Sequence, residues 1–342
     1  MKVLQNISLR EFNTFGLNIY SSYFTSINDV KDIQAILQDK EFADKKFMIL
    51  GGGSNVLFIH DFDGLILRNE LRGIHIVNED ENCVWVRVAS GEVWHELVLW
   101  SIDRNLGGIE NLSLIPGSVG AGPMQNIGAY GVELKDVFYE LNAMNLKTFE
   151  MKTFSKVDCK FGYRESVFKH ELKDQYFISS VIFQLNKNPI LNISYGAISQ
   201  ELIKMNVENP SVKNVSDAVI HIRKSKLPDP KILGNSGSFF KNPEINIEQF
   251  NSLKENFPTI VGYPLANNKI KVAAGWLIEQ CGWKGKRMGE TGSHKDQSLV
   301  LVNYGSATGR EIYALALQIK QSVFEKFRVV IEPEVNIIGK IN

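Results

Sequence analysis

Two glycine-rich stretches limit what this chain can fold into more than anything else in it. In the longer, residues 115–131, glycine recurs at 117, 120, 122, 128 and 131 among Ile115, Val119, Met124, Ile127 and Tyr130. Flexible linkers seldom carry such apolar side chains. The segment therefore reads as a packed loop whose backbone can press against a flat ligand and hydrogen-bond to its edge. The shorter stretch, Gly51-Gly52-Gly53-Ser54-Asn55, follows Phe47-Met48-Ile49-Leu50, an apolar run expected to be a short buried strand. Backbone N–H groups turned inward there would make an anion nest, with Ser54 and Asn55 adding donors to a pyrophosphate. A Gly-Gly-Gly turn on its own is a plain loop at least as often. It has neither the G-x-G-x-x-G spacing of a dinucleotide Rossmann unit nor the Gly-Lys-Ser/Thr of a P-loop.

A chain of 342 residues with 44% hydrophobic content has room for two or three domains. Thirty-eight basic residues balance 38 acidic ones, so no global field draws it to nucleic acid. The local exception is Arg223-Lys224-Ser225-Lys226, which reads equally as a phosphate site or as cations at a helix C-terminus. Cys83, Cys159 and Cys281 are odd in number and far apart, which speaks against disulfides and against zinc. The six histidines show no metal-ligand spacing, so no metal is expected. With no apolar run approaching 18 residues, no membrane span is expected and a cytoplasmic protein is.

Periodicity indicates mixed α and β structure, without repeats. A helix is expected through Val30, Ile33, Ile36 and Leu37 and another over 92–104, with strands at 47–50, 56–59, 65–67, 74–77, 84–89, 137–145, 177–185 and 299–302. Residues 206–211 read as a linker, and Ser216 as the cap of a helix reaching Lys226, stopped by Pro228 and Pro230. Further on, 271–283 reads as an amphipathic helix. Thr308-Gly309-Arg310-Glu311 is a capping box opening a long helix to about Phe327, and 328–335 reads as a strand that Pro333 confines to an edge or an end. The domains expected are 1–70, 71–212 and 213–342.

The run Gly237-Ser238-Phe239-Phe240-Lys241-Asn242-Pro243 sets one hydroxyl beside a flexible glycine, between aromatic walls, with a cation and an amide following. A hydroxyl is a poor acid in water, but a nearby cation and a water-poor pocket let it donate to a carbanion that is solvated worse still. The same seven residues also suit a turn with two core phenylalanines.

Taken in order, LGGGSNVL at 50–57, IPGSVGAGPMQNIGAYG at 115–131, FGYRES at 161–166, SKLPDP at 225–230, GSFFKNP at 237–243, AAGWLIEQCG at 273–282 and EPEV at 332–335 closely resemble the UDP-N-acetylenolpyruvoylglucosamine reductases. These are flavoproteins of peptidoglycan synthesis, also called UDP-N-acetylmuramate dehydrogenases. Tyr195 in Tyr195-Gly196-Ala197-Ile198 resembles the substrate-covering tyrosine of one type. The resemblance implies an α+β fold: two FAD-binding subdomains of the vanillyl-alcohol-oxidase kind, a C-terminal substrate-binding domain, and a final strand returning to the active site. FAD would be held noncovalently and NADPH would supply hydride.

Position by position, the resemblance implies that Gly51, Gly52, Gly53, Ser54 and Asn55 hold the FAD pyrophosphate. Ser118, together with Asn126, Ile127, Gly128, Ala129, Tyr130 and Gly131, would line the isoalloxazine, with Arg223 also touching the flavin. Tyr195, Lys226, Asn242, Tyr263 and Gln297 would contact the UDP-sugar. Arg164, Ser238 and Glu334 match the catalytic trio. Two positions depart from the family pattern, Ser236 where alanine is common and Asn336 where a basic residue is. Neither touches the implied chemistry directly, although Asn336 leaves the developing enolate resting more heavily on Arg164.

Hydride addition to carbon 3 of an enolpyruvyl ether pushes charge onto carbon 2 and the carboxylate. A guanidinium pairs with a carboxylate in a fixed fork, which suits Arg164 to that charge, and Glu334 suits polarisation of the same carboxylate or the positioning of Arg164. Without the resemblance, Arg164 would read as a salt bridge to Glu165, and Glu334 as a solvated residue on the face of Glu332. The expected reaction is NADPH-dependent reduction of UDP-N-acetylglucosamine enolpyruvate to UDP-N-acetylmuramate. A flavin oxidase of the same superfamily and a noncatalytic UDP-sugar-binding protein are the alternatives.

Overall fold

A computed structural model describes residues 2–265 and 267–339. Its contacts divide the chain into two compact units. The first comprises the residues up to Ile7, Ser21–Gly52 and Asp63–Ser225. The second comprises Ser8–Tyr20, Gly53–Phe62 and the residues from Lys226 onward.

The first unit holds a four-stranded sheet in the order Leu4–Ser8, Tyr20–Ile27, Phe62–Asn69, Phe47–Leu50, the last two parallel. The helix Val30–Gln38 starts at Asp29, whose side chain accepts from the Lys31 N–H, and buries Ile33 and Ile36 with Leu65 and Leu67. A second sheet is antiparallel throughout, in the order Met151–Ser155, Phe138–Asn145, Tyr176–Asn186, Cys83–Ala89, Ile74–Glu79. Against it the helix Trp94–Ile102 buries Trp94, Leu97 and Val98, the Trp94 ring meeting Phe183 edge-on at 5.7 Å. The helices Gly196–Lys204 and Val212–Lys226 share a small core of Ile198, Leu202, Val215, Val219 and Ile222.

In the second unit one sheet runs Gly234–Ser238, Val300–Asn303, Thr291–Ser293, Arg287–Met288, and another runs Glu244–Asn246, Lys269–Val272, Gly262–Pro264. Strand Asn336–Ile338 pairs in parallel with Val56–Phe58. The long helix Gly309–Phe327 opens on the expected capping box, with Thr308 and Glu311 side chains each accepting from the other's backbone N–H. Its buried stripe of Ile312, Leu315, Ala316, Ile319, Val323 and Phe327 repeats every three or four residues, which gives the helix one apolar face.

The class is α+β, as read from the sequence, but three local expectations are corrected. Ser216 caps nothing. It lies inside the helix Val212–Lys226, buried, with its hydroxyl 2.8 Å from that of Ser113, while Ser211 and Asn214 exchange the capping bonds. The helix expected over 271–283 spans only Ala274–Gln280, because Lys269–Val272 is a strand held on both edges. Residues 328–335 form no strand. They make a single bridge, Phe240 to Pro333, since a proline cannot extend a ladder.

Candidate active site

In the first unit the two glycine-rich stretches meet. A Cβ on Gly51 would fall 2.4 Å from Ser118 Oγ, and one on Gly52 would fall 2.9 Å from the Gly117 Cα. Residues 117–120 cannot give way easily, because they are stitched to 90–94: Gly117 O accepts from Trp94 N at 3.0 Å, Val119 N donates to Glu92 O at 2.8 Å, and Gly120 N donates to Ser90 O at 2.8 Å. At the head of this loop His95 Nδ1 accepts the N–H of Leu114, a residue held at φ +59°. Burial pushes the His95 imidazole down, Glu96 opposes it, and Arg223 and Lys224 reinforce it, so the ring stays the neutral acceptor that this bond requires. No sequence signal marked His95, a lone histidine on an apolar helix face.

The loop ends in a tight hairpin in which Gly128–Ala129 pairs with Val132–Glu133. Its two turn residues, Tyr130 and Gly131, have φ of +50° and +80°, the sign of a type I′ turn. A tyrosine there is strained and needs outside support. Asn111 Nδ2 supplies it by donating to Tyr130 O at 3.0 Å, and Asn192 Nδ2 by donating to Gly131 O at 3.1 Å. The Tyr130 hydroxyl is hydrogen-bonded to Arg223, and its ring meets that of Tyr195 edge-on at 5.4 Å. Burial raises the Tyr130 phenol pKa against the pull of Arg223, and burial lowers that of Arg223 against the pull of Tyr130.

Asn126, fully buried at φ +46°, spends its amide on the loop itself, donating to Glu133 and to Gly162 O and accepting from Lys135 N. Beside it Ile127 is buried, its carbonyl accepting from Leu134 N at 2.8 Å. Arg164, at φ +56°, donates from Nη2 to Gly128 O at 2.5 Å, so one edge of its guanidinium is aimed by the hairpin. Glu165 Oε2 lies 2.6 Å from His170 Nε2. Tyr195 stands 44% exposed at the start of the helix Gly196–Lys204.

The second unit carries Gly53, Ser54, Asn55, Lys226, Ser238, Asn242, Tyr263, Gln297 and Glu334. Between Asn235, opposite Val302, and Ser238, opposite Val300, the strand Gly234–Ser238 carries one residue too many. This bulge turns on Gly237 at φ +68°, a conformation that disfavours a side chain, and it presents the Ser238 hydroxyl at the surface while Phe239 and Phe240 are both buried. Truncating either ring to alanine would cost about 3–5 kcal/mol, so the aromatic pair fixes the backbone on which Ser238 rides. Glu334 arrives alongside: its N–H donates to Phe239 O at 2.8 Å, and Lys241 N donates to Glu332 O at 3.0 Å. Glu334 is half-buried, whereas Glu332 is exposed and pairs with Lys320 at 3.0 Å.

Asn242 and Gln297 converge on one helical turn. Asn242 Oδ1 accepts from Ala274 N at 2.9 Å, and a Cβ on Gly275 would lie 3.4 Å from Gln297 Oε1. Tyr263, on the strand Gly262–Pro264, and Lys226, ending its helix, are each exposed elsewhere in the unit.

Residues 229–338 match the family described as UDP-N-acetylenolpyruvoylglucosamine reductase, C-terminal domain, and residues 22–148 match an FAD binding domain. A UDP-N-acetylenolpyruvoylglucosamine reductase of Flavobacterium johnsoniae is 52% identical over 99% of this chain and 100% of its own length. The chain belongs to the UDP-N-acetylenolpyruvoylglucosamine reductase family. Another reductase of that name, from Amoebophilus asiaticus, is 47% identical over 99% of this chain and 100% of its own. The crystal structure of the Thermus caldophilus UDP-N-acetylenolpyruvylglucosamine reductase shares the fold, with a TM-score of 0.68 at 19% identity over 98% of this chain and 99% of that one.

As a member of this reductase family the chain is an FAD-binding oxidoreductase, and the first unit's geometry fits that cofactor. At Gly52 the backbone of Gly117 approaches so closely that a Cβ would displace it, and at Gly51 a Cβ would meet the Ser118 hydroxyl. Arg223 Nε, buried and without a hydrogen-bond partner among the described residues, is a donor suited to an acceptor-rich ring edge. No helix among the described residues is long and apolar enough to cross a membrane.

Proposed function

We propose that this chain reduces UDP-N-acetylglucosamine enolpyruvate to UDP-N-acetylmuramate with NADPH as hydride donor, in the cytoplasm, as a step of peptidoglycan precursor synthesis. The observation that carries the reading is the bulge at Ser236-Gly237, which lifts the Ser238 hydroxyl out of its sheet beside the backbone of Glu334. Bound FAD would supply the chemistry of hydride transfer from NADPH to carbon 3 of the enolpyruvyl double bond. The chain's own task is to hold the charge that this addition creates and to deliver one proton.

Arg164 clamps the substrate carboxylate. Its Nη2 bond to Gly128 O fixes the plane of the guanidinium, so a carboxylate meets an oriented fork rather than a mobile cation. Because charge on the carboxylate grows as carbon 3 is reduced, the contact strengthens toward the transition state and accelerates the step as well as binding the sugar. Glu334 polarises the same carboxylate as a general acid. Ser238 Oγ–H protonates carbon 2, and its surface position lets solvent restore the proton. Gly51, Gly52, Gly53, Ser54 and Asn55 hold the pyrophosphate. Ser118, Tyr130, Arg223 and the backbone of 126–131 hold the flavin ring. Lys226, Asn242, Tyr263 and Gln297 bind the UDP-sugar.

Anaerobic mixing tests this reading. Protein carrying FAD should bleach with NADPH and regain its colour on addition of the enolpyruvyl UDP-sugar. Colour returning only when oxygen is admitted would point instead to an oxidase.

Tyr195 covers the bound sugar and takes no part in proton transfer. Its ring leans edge-on against Tyr130 and the residue is 44% exposed, at the start of a helix, a position suited to covering a ligand. Tyr195→Phe keeps the ring contact and loses the hydroxyl. It should weaken enolpyruvyl-sugar binding by about 3- to 10-fold, the size of one neutral hydrogen bond, and leave the limiting rate of flavin reoxidation within about twofold. A large fall in that rate at unchanged affinity would remove Tyr195 from this role.

A further inference from the structure

The peptide units of Ser54 and Asn55 are gripped by two side chains to which the chemistry above gives no part. Ser236 Oγ donates to Ser54 O at 2.5 Å. Asn336 donates twice to Asn55 O, from Nδ2 at 3.0 Å and from its backbone N–H at 3.1 Å. Asn55 returns a bond from its own Nδ2 to Glu334 O at 3.3 Å. Ser236 lies two residues before Ser238, and Asn336 two residues after Glu334. One short stretch of backbone is thus tied both to the bulge that presents the hydroxyl and to the segment that presents the carboxyl.

We propose that Ser236 and Asn336 are positioning residues for proton delivery, fixing Ser238 and Glu334 relative to one another through the backbone of Ser54 and Asn55. The inference rests on the roles given above to Ser238 and Glu334. Its physical ground is the softness of the two presenting segments. Gly237 stands at φ +68° with no atom within 4 Å of the place a Cβ would take, so beyond its own N–H bond to Asn235 Oδ1 at 2.9 Å no packing locks the bulge on that side. Residues 332–334 meet 239–241 through a single bridge, made of two backbone bonds, rather than a continuous ladder. Each segment therefore has a hinge, and each is anchored next to that hinge: Ser236 on Ser54 O just before Gly237, and Asn336 on Asn55 O just after Glu334.

Ser236 is 7% exposed, so the carbonyl it serves would be left without that donor in an alanine variant. Asn336 is exposed, and its backbone donor survives any substitution but proline, so changing it leaves the strand Asn336–Ile338 in place. General acids act over tenths of an ångström, and a displacement of about 1 Å costs on the order of a hundredfold in rate.

The test compares Ser236→Ala, Asn336→Ala and the double variant in four measurements: melting temperature, FAD affinity of the apoprotein, rate of bleaching by NADPH, and rate of colour return with the enolpyruvyl sugar. Because Ser54 and Asn55 also belong to the pyrophosphate loop, FAD affinity should fall modestly, and bleaching, measured with FAD saturating, should stay within about threefold of wild type. The limiting rate of colour return should fall about tenfold in each single variant and toward a hundredfold in the double, with little change in the sugar concentration giving half the limiting rate. Equal slowing of both half-reactions, or a lower melting temperature with neither slowed, overturns the inference. Should Ser236→Ala fail to fold, Asn336→Ala decides alone. Ser238→Ala and Glu334→Gln run in parallel separate the two layers. If they leave colour return at the wild-type rate, the roles of Ser238 and Glu334 fall. If they stall it and the double variant does not, only the positioning inference falls.

Discussion

Ser238→Ala is expected to bleach with NADPH at close to the wild-type rate and then to stall, its colour returning with the enolpyruvyl sugar about 10²–10⁴-fold more slowly than wild type. That factor corresponds to roughly 3–5 kcal/mol of lost transition-state stabilisation. The first half-reaction calls for neither a proton at carbon 2 nor a hold on the substrate carboxylate, so it has no use for this hydroxyl. The structure makes the substitution a clean one. The bulge is kept by Gly237 and by the Gly237 N–H bond to Asn235 Oδ1 at 2.9 Å, while Phe239 and Phe240 stay buried behind it. Deuterium labelling separates the two additions: deuteride from NADPH should appear at carbon 3 and solvent deuterium at carbon 2. Stopped-flow absorbance reads both half-reactions, and colour returning in the alanine variant at the wild-type rate would take proton delivery away from Ser238.

What the sequence disclosed was governed by how local each cause is. The capping box at Thr308 and Glu311 is written within four residues, and the apolar stripe of the helix behind it within nineteen, so both were legible. The cap of Val212–Lys226 was not, because Ser216 and Ser211 are equally good caps by composition, and what separates them is that Ser216 faces Ser113 in the core, 103 residues away. Residues 328–335 carry the β-branched composition of a strand, yet a strand needs a ladder, and whether one is offered depends on Phe240.

Within the candidate site the same division holds. Glycine-rich backbone announced the loops, but the Tyr130-Gly131 turn did not announce itself, since tyrosine is not a turn residue and the turn is held by Asn111 and Asn192 from distant parts of the chain. The bonds of Ser236 and Asn336 to Ser54 and Asn55 span 182 and 281 residues of sequence, and no pattern in one chain can disclose them.

Gly52→Val is expected to lose FAD while the protein remains folded. Gly52 is not among the glycines at positive φ, so the constraint on it is the approach of another backbone. A Cβ there would stand 2.9 Å from Gly117 Cα and 3.4 Å from the Gly117 carbonyl carbon, and valine adds two methyl groups beyond it. Neither side yields for free. Gly117 O is held by Trp94 N, and the loop containing Gly52 springs from Leu50, which is paired with Arg68 in the sheet. Overpacking of this kind costs about 1–3 kcal/mol, which a folded chain with the usual margin of about 5–15 kcal/mol survives. The loop of residues 51–55 must shift to relieve it, and its N–H groups would then no longer point together at a pyrophosphate bound there. Charge-assisted hydrogen bonds contribute about 1.5–3 kcal/mol each, so misplacing two should weaken FAD by roughly a hundredfold or more. Gly52→Ala, with the Cβ alone, should fall between. The measurement is bound flavin per folded monomer after desalting, with circular dichroism to establish that the monomer is folded, and a folded Gly52→Val carrying its full complement of FAD would mean that this loop does not hold the pyrophosphate.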